Sequence, residues 1–292
     1  MEVLALEKRP RSLFPGVGKL KAEGEEASLD APEGETRQTQ TQVNDSNAFF
    51  RGGREEFLSI EKSFTFHSSS LLLPEEEKQA VSRVYAFCRK ADDVADGNSS
   101  TKEKLEMLSE MKKNLQKALE GRKAGDEAVN RFASTALEKG LDAKYAFELL
   151  EGLETDCVTK EYASFAELER HCHAVASTVG LLLLPLLSDE KPEKEAIALG
   201  KAMQLTNILR DIGEDLKRGR IYLPQDELSA FNASLDGRVN PEFVALMRFQ
   251  IERARLFYAK ALPGVCKLKP SCRAGVAGAI TSYSKIFDGI EA

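Results

Sequence analysis

Asn207, Asp211 and Asp215 recur at every fourth residue in NILRDIGED, residues 207–215. On an α-helix this spacing drifts only about 40° per step, so three oxygen-bearing side chains share one stripe. A second acidic stretch, YAFCRKADDVADG (85–97), sets Asp92 and Asp96 one helical turn apart, while Asp93 points roughly 100° away. Like charges at this spacing mildly destabilise an isolated helix, so each stripe calls for solvent or a cation. The 207–215 stripe follows the apolar lead-in ALGKAMQLT, and Leu205, Ile208, Leu209 and Ile212 form its opposite side. A helix so apolar belongs in a core, which favours the cation. Mg²⁺ takes oxygen ligands and is usually held by one or two carboxylates together with substrate phosphates. Arg89, Arg210, Lys217, Arg218 and Arg220 lie beside the two stripes in sequence. Two opposed acidic helices with these cations suit a metal-bridged diphosphate.

Other residues of chemical interest carry less. His171 and His173 flank Cys172, but positions i and i+2 of a helix face different ways, so packing or surface roles are expected rather than a metal pair. The five cysteines contain no CxxC pair, which suggests neither a disulfide framework nor a zinc site. PGVGKL (15–20) has a Gly-Lys pair, yet Leu20 stands where a phosphate-binding loop needs Ser or Thr.

The elements that must position the two stripes read as helices. Apolar residues recur at three and four spacing over roughly 75–96, 101–121, 125–139, 143–160, 164–186, 193–216, 240–261 and 271–290, with Gly and Pro clustered between them. No alternating strand pattern of useful length and no internal repeat is found. The expected fold class is all-α, one helical bundle over residues 51–292 around a central apolar cavity. Residues 1–50 are polar and aperiodic, the composition of a disordered tail. Seven Glu and two Asp among the first 47 residues argue against a transit peptide. The longest apolar run, VGLLLLPLL (179–187), is about half a membrane span, so no transmembrane helix is expected. A net charge of −6 without a strongly basic block argues against nucleic acid as a partner.

YAFCRKADDVADG and QLTNILRDIGEDLKRGRIYLP resemble the two aspartate-rich signatures of the squalene/phytoene synthase family, in the form found in its phytoene and dehydrosqualene branch. Weaker likenesses in SFTF (63–66), SLLLP (70–74), ELERHCHAVASTVG (167–180) and RFQIERARLFYAKALPG (248–264) extend the resemblance from about Ser63 to Ile290. It implies an isoprenoid synthase-type bundle that binds Mg²⁺, with Mn²⁺ as a substitute, through Asp92, Asp96, Asn207, Asp211 and Asp215. The same likeness places Tyr85 near the reacting carbons and Arg89 and Arg210 on diphosphate. It puts Gln204 beside the metals and Ser63 near the entrance, extends the diphosphate site to Arg218 and Arg220, and matches Tyr222 and Tyr283 to family tyrosines. Ser177 stands where the family commonly has Gly, and His171 and His173 replace aromatic residues often found there.

The implied reaction is head-to-head condensation of two prenyl diphosphates through a cyclopropylcarbinyl diphosphate, ending in proton loss to released diphosphate or a nearby Tyr. The absence of a dinucleotide fingerprint disfavours a reductive, NAD(P)H-dependent ending. Two geranylgeranyl diphosphates giving phytoene is the leading expectation, because Ser68, Ser69, Ser70 and Ser82 are small where some short-chain relatives carry aromatics. A farnesyl diphosphate-using synthase making dehydrosqualene, hydroxysqualene or presqualene diphosphate is the alternative. A class I terpene cyclase would normally hold Ser/Thr and then Glu at the positions of Asp211 and Asp215. A non-catalytic assembly protein of the same fold would be expected to lose these ligands. Peripheral membrane contact is expected from greasy substrates, with no obligate protein partner. The location would be cytoplasmic or membrane-peripheral, or plastidic in a photosynthetic eukaryote.

Overall fold

A computed structural model describes residues 72–291. The expected 1–50 tail, Ser63, Ser68, Ser69 and Ser70, and the SFTF and PGVGKL stretches lie outside the described residues.

The first helix, α1 (Glu75–Asp96), starts with three glutamates after Pro74, where acidic charge complements the helix N-terminus. Its buried stripe runs through Ala80, Val84, Phe87, Cys88, Ala91 and Ala95. The second, α2 (Thr101–Leu119), opens on a capping box in which Ser100 and Glu103 satisfy each other's backbone N–H groups. Asp126 caps α3 (Glu127–Lys139), and Gly140, at φ 64°, ends it in the left-handed conformation that glycine adopts without strain. Next come α4 (Lys144–Val158) and α5 (Phe165–Cys172), which passes through a π-helical turn (His173–Ser177) into α6 (Thr178–Leu187). The long α7 (Glu193–Lys217) carries the three-oxygen stripe. It is followed by the short α8 (Gln225–Ala230), by α9 (Pro241–Val265) and by α10 (Arg273–Ser284) with α11 (Ile286–Glu291).

The all-α expectation holds. Its departures have physical causes. The segment expected as one helix over 164–186 contains the π turn because two neighbouring helices press on it. A Cβ at Gly152 of α4 would lie 2.7 Å from Ala174 Cβ, and one at Gly200 of α7 would lie 2.5 Å from Ser177 Cα. Widening the helix there lets three backbones cross closely. With its α5 turns included, Phe165–Leu187 is long and apolar enough to cross a membrane by length and composition, which the run at 179–187 alone did not suggest. Its close crossing with α4 and α7 accounts for that apolar character. The helix expected over 271–290 breaks at Lys285, and the single turns of α8 are too short for a periodic signal.

Among the described residues, the buried apolar side chains form two clusters. One joins α1 to α4 with Leu182 and Leu186 of α6. The other joins α5, α7, α9 and α10. A cavity of about 780 Å³ lies between them, walled by Val81, Leu149 and Leu153 from the first cluster and by Ile208 and Ile280 from the second.

Candidate active site

One end of the cavity is polar. There α1 contributes Tyr85, Arg89, Asp92 and Asp96, and α7 contributes Gln204, Asn207, Arg210, Asp211 and Asp215. Asp93, a quarter-turn away on α1, does not line it. The two stripes therefore face each other across the mouth. The loop after α7 closes this end, with Arg220 Nη1 donating to Asp96 Oδ1 at 3.2 Å and Arg218 at 3.7 Å from the same oxygen. Tyr283 of α10 also lines the mouth. Its phenol is raised above its ordinary value by burial and, against the pull of Arg210, by the carboxylates of both Asp211 and Asp92.

Electrostatics at the mouth are those of crowded carboxylates. Asp215 is pushed up to about 7, first by burial and then by the charges of Asp211 and Asp96, which outweigh Arg218 and Arg220. Arg210 grips Asp211 with two hydrogen bonds of 2.7 Å. Arg89 spans Asp93 at 2.8 Å and Asp92 at 3.7 Å. An incoming diphosphate would find cations already placed beside the acids that surround it.

The donor set fits a hard divalent cation. Asn207 Oδ1 is buried with no hydrogen-bond partner among the described residues, although it sits on the stripe with Asp211 and Asp215. An unpartnered buried oxygen and a carboxyl raised by its neighbours are both relieved by a cation. Among the described residues, however, no three His, Cys, Asp or Glu side chains converge on one point. The acids stand on opposite walls, so ions held here need ligands that a substrate brings. This matches how Mg²⁺ shares its shell with phosphate oxygens.

A buried polar cluster adjoins the mouth, and periodicity did not point to it. Asp156 of α4 is 6 % exposed. It accepts hydrogen bonds from Tyr222 Oη at 2.9 and 3.1 Å, and Arg220 Nη1 lies 3.2 Å from its Oδ2. His171 Nε2 lies 3.6 Å from Asp156 Oδ1, and neither ring nitrogen has a hydrogen-bond partner among the described residues. Burial holds this imidazole below its ordinary value, opposed by Asp156 and aided by Arg220. Asp156 left one trace in the sequence. With Leu149 and Leu153 it falls at i, i+4 and i+7, a charge on a buried stripe.

A parallel bridge between Glu161 and Ile221 locks the cluster together, with Ile221 N–H donating to Lys160 O at 2.8 Å. It ties the loop bearing Arg220 and Tyr222 to the segment that follows Asp156. His171 thus lines the cavity while His173 is only half-buried on another face, as their i, i+2 spacing requires. Ser177 does not line the cavity; its hydroxyl donates to Ile197 O at 2.9 Å. Ser82 is a correction. It is exposed on α1 and no part of the cavity wall, because the inward positions of that helix are Val81, Tyr85 and Cys88.

The squalene/phytoene synthase family model matches residues 61–292. The chain is 35 % identical over 245 residues to the 15-cis-phytoene synthase of Synechococcus elongatus, covering 78 % of this chain and 79 % of that one. It is 37 % identical over 246 residues to the phytoene synthase of Arthrospira platensis, with the same coverage. Among solved structures it resembles a ligand-bound dehydrosqualene synthase, with a TM-score of 0.70 and 33 % identity, over 78 % of this chain and 82 % of that one.

Proposed function

Because this chain belongs to the squalene/phytoene synthase family, we propose that it condenses two geranylgeranyl diphosphates head to head into phytoene. The chain is a prenyltransferase of isoprenoid biosynthesis. One observation carries the specific reading: two oxygen-lined helices face each other over the mouth of a cavity whose walls away from that mouth are mostly apolar. A substrate with a charged head and a long hydrocarbon tail fits that division. Its diphosphate would lie between Asp92 and Asp96 on one side and Asn207, Asp211 and Asp215 on the other.

Mg²⁺ held by these five residues would offset the charge that builds on the departing diphosphate. Arg89, Arg210, Arg218 and Arg220 contribute fixed positive charge from the protein. Tyr85, Tyr222 and Tyr283 line the same cavity and, on this reading, would meet the first carbons of the tail. The apolar walls exclude water, which would otherwise trap a carbocation as an alcohol. Peripheral contact with a membrane, the source of such tails, belongs to the same reading.

The test is direct. Purified protein given geranylgeranyl diphosphate and Mg²⁺ should release diphosphate and form a C40 hydrocarbon. Asp92→Asn and Asp211→Asn should each nearly abolish this while leaving the helical circular dichroism intact. Selective formation of a C30 product from farnesyl diphosphate would move the assignment to the short-chain branch, and no turnover with either substrate would overturn it.

A further inference from the structure

The cavity has a second end. Glu77 stands 15 residues before Asp92 on α1, and Glu195 stands 16 before Asp211 on α7. At 1.5 Å per residue, each lies about 22–24 Å along its helix from the acids of the mouth. Lys269 Nζ pairs with Glu77 Oε1 at 3.3 Å, and Lys267 Nζ pairs with Glu195 Oε1. Both lysines belong to the segment 266–272 that joins α9 to α10, so this strap is tied to both walls remote from the mouth. Two further bonds hold it. Lys269 N–H donates to Leu187 O at 2.9 Å, and Ser188 Oγ donates to Lys267 O at 2.7 Å. Between the two lysines Leu268 is buried, and it lines the cavity with Leu187 and Val265.

The latch is a weak one. The Lys267 and Lys269 side chains keep 42 % and 29 % of their surface in solvent, and ion pairs of this kind stabilise little. At the mouth, by contrast, Arg220 and Asp156 form an enclosed pair whose rupture is costly. The hydrocarbon product of the proposed condensation has no charged group. Leaving by the mouth, it would strip solvent from the carboxylates and guanidinium groups there. Reaching water would then expose all of its apolar surface. Leu72 and Leu262 are more than half exposed, and they stand five residues before Glu77 and Lys267 respectively.

We infer that the strap 266–272 is the exit for the product: it swings off Glu77 and Glu195, withdraws Leu268 and passes the hydrocarbon directly into a lipid surface. Substrates enter and diphosphate leaves at the charged mouth, so charged and uncharged species use opposite ends of one cavity. Released from their carboxylates, Lys267 and Lys269 meet anionic headgroups, while Leu72 and Leu262 meet the acyl chains. This inference rests on the head-to-head reading above.

The experiment locks the strap in the full-length protein. Glu77→Cys and Lys269→Cys are combined with Cys266→Ser, which removes the exposed native thiol, and the new pair is bridged by a reducible bismaleimide. Turnover is followed with geranylgeranyl diphosphate, Mg²⁺ and vesicles of phosphatidylcholine and phosphatidylglycerol. The bridged protein should release two diphosphates per chain at the unbridged rate, keep one hydrocarbon, and then slow by roughly tenfold or more as product release becomes limiting. Cleaving the bridge should restore turnover and move the product into the vesicles, and capping the two cysteines singly should slow nothing. Hydrogen exchange on wild type needs no variant. The amides of 266–272 should exchange several-fold faster during turnover with vesicles than with Mg²⁺ and diphosphate alone. With wild type active, any one of three results overturns the exit only: steady turnover of the bridged protein at the unbridged rate, loss of its first turnover, or unchanged exchange across the strap. A wild type that makes no hydrocarbon overturns the exit together with the reading beneath it.

Discussion

Arg220 Nη1 lies 3.2 Å from Asp96 Oδ1, joining residues 124 positions apart in the chain. The same nitrogen is 3.2 Å from Asp156 Oδ2. One guanidinium therefore ties α1, α4 and the loop after α7 into a single frame around the mouth. Its own ionisation is pulled down by burial, yet held well above the ordinary value by Asp156, Tyr222 and Asp96.

Replacing Arg220 with Ala should therefore do two things. Asp156 would be left buried without its cation, and breaking a buried pair typically costs about 3 kcal/mol or more. Asp96 would lose its anchor, and kcat/KM should fall by roughly 10²-fold or more, equivalent to about 2.7 kcal/mol of transition-state stabilisation. Arg220→Lys keeps the charge, but its side chain is one bond shorter and lacks the rigid plane that fixes Nη1 between the two carboxylates, so it should recover stability better than activity. Chemical denaturation and steady-state kinetics on both variants check this, and equal recovery of the two properties by Lys would contradict it.

Much of this frame was legible in advance because its signals are periodic. Asp92, Asp96, Asn207, Asp211 and Asp215 repeat at helical spacing, and Val84, Leu205 and Ile208 mark the faces that bury. Asp156 and His171 were not read as site residues. Each is a single polar residue whose partners, Tyr222 and Arg220, come from distant chain segments, and no local pattern encodes such a meeting. Ser82 failed for the opposite reason. Its size suggested a pocket floor, but the register of α1 turns Val81 inward and leaves Ser82 in solvent. The π turn was equally invisible, since its cause lies in Gly152 and Gly200 rather than in residues 173–177.

The carboxyl of Asp215, displaced from its ordinary 3.8 to about 7, predicts a pH dependence of metal binding. The metal-free fold holds this proton more tightly than the unfolded chain does. That contribution to stability is full below about pH 4 and is lost as pH rises towards 7. A cation needs the carboxylate and must displace the proton. Mg²⁺ affinity should thus climb by up to tenfold per unit below about pH 7 and level off above it. Calorimetric titration in buffers of different ionisation enthalpy should count close to one proton released at pH 6 and almost none at pH 8. A pH-independent affinity across this range would show that Asp215 is already ionised.

The Gly200 position separates fold from chemistry. A Cβ there would meet Ser177 Cα at 2.5 Å and Ser177 N at 2.6 Å, and backbone atoms cannot swing aside. Gly200→Ala should cost about 1–3 kcal/mol through overpacking. Gly213 lies on the same helix with nothing within 4 Å of its added Cβ. Gly213→Ala should instead stabilise by about 0.5–1 kcal/mol, because alanine loses less backbone entropy in a helix. Thermal melts of the two variants should move in opposite directions from wild type. A shared direction would mean that α7 and the π turn do not cross as closely as described.

Tail length should be read at the far end of the cavity. Val265 lines it there, beside Gly264, whose added Cβ would touch Glu195 Cβ at 2.6 Å. Glu195 and Asp211 are 16 residues apart on α7, or about 24 Å along the helix axis at 1.5 Å per residue. Val265 therefore sits where the end of a long tail would lie, remote from the diphosphate. A C20 tail exceeds a C15 tail by five carbons, which are worth up to about 4 kcal/mol when fully buried. Filling the end with Val265→Trp should deny a C20 tail that contact and leave a C15 tail nearly untouched. The ratio of kcat/KM for geranylgeranyl to farnesyl diphosphate should fall by roughly 10²- to 10³-fold, mostly through the longer substrate. An unaltered ratio in a variant that folds normally would place the tail end elsewhere, nearer Val81 on α1 and Leu73 just before it.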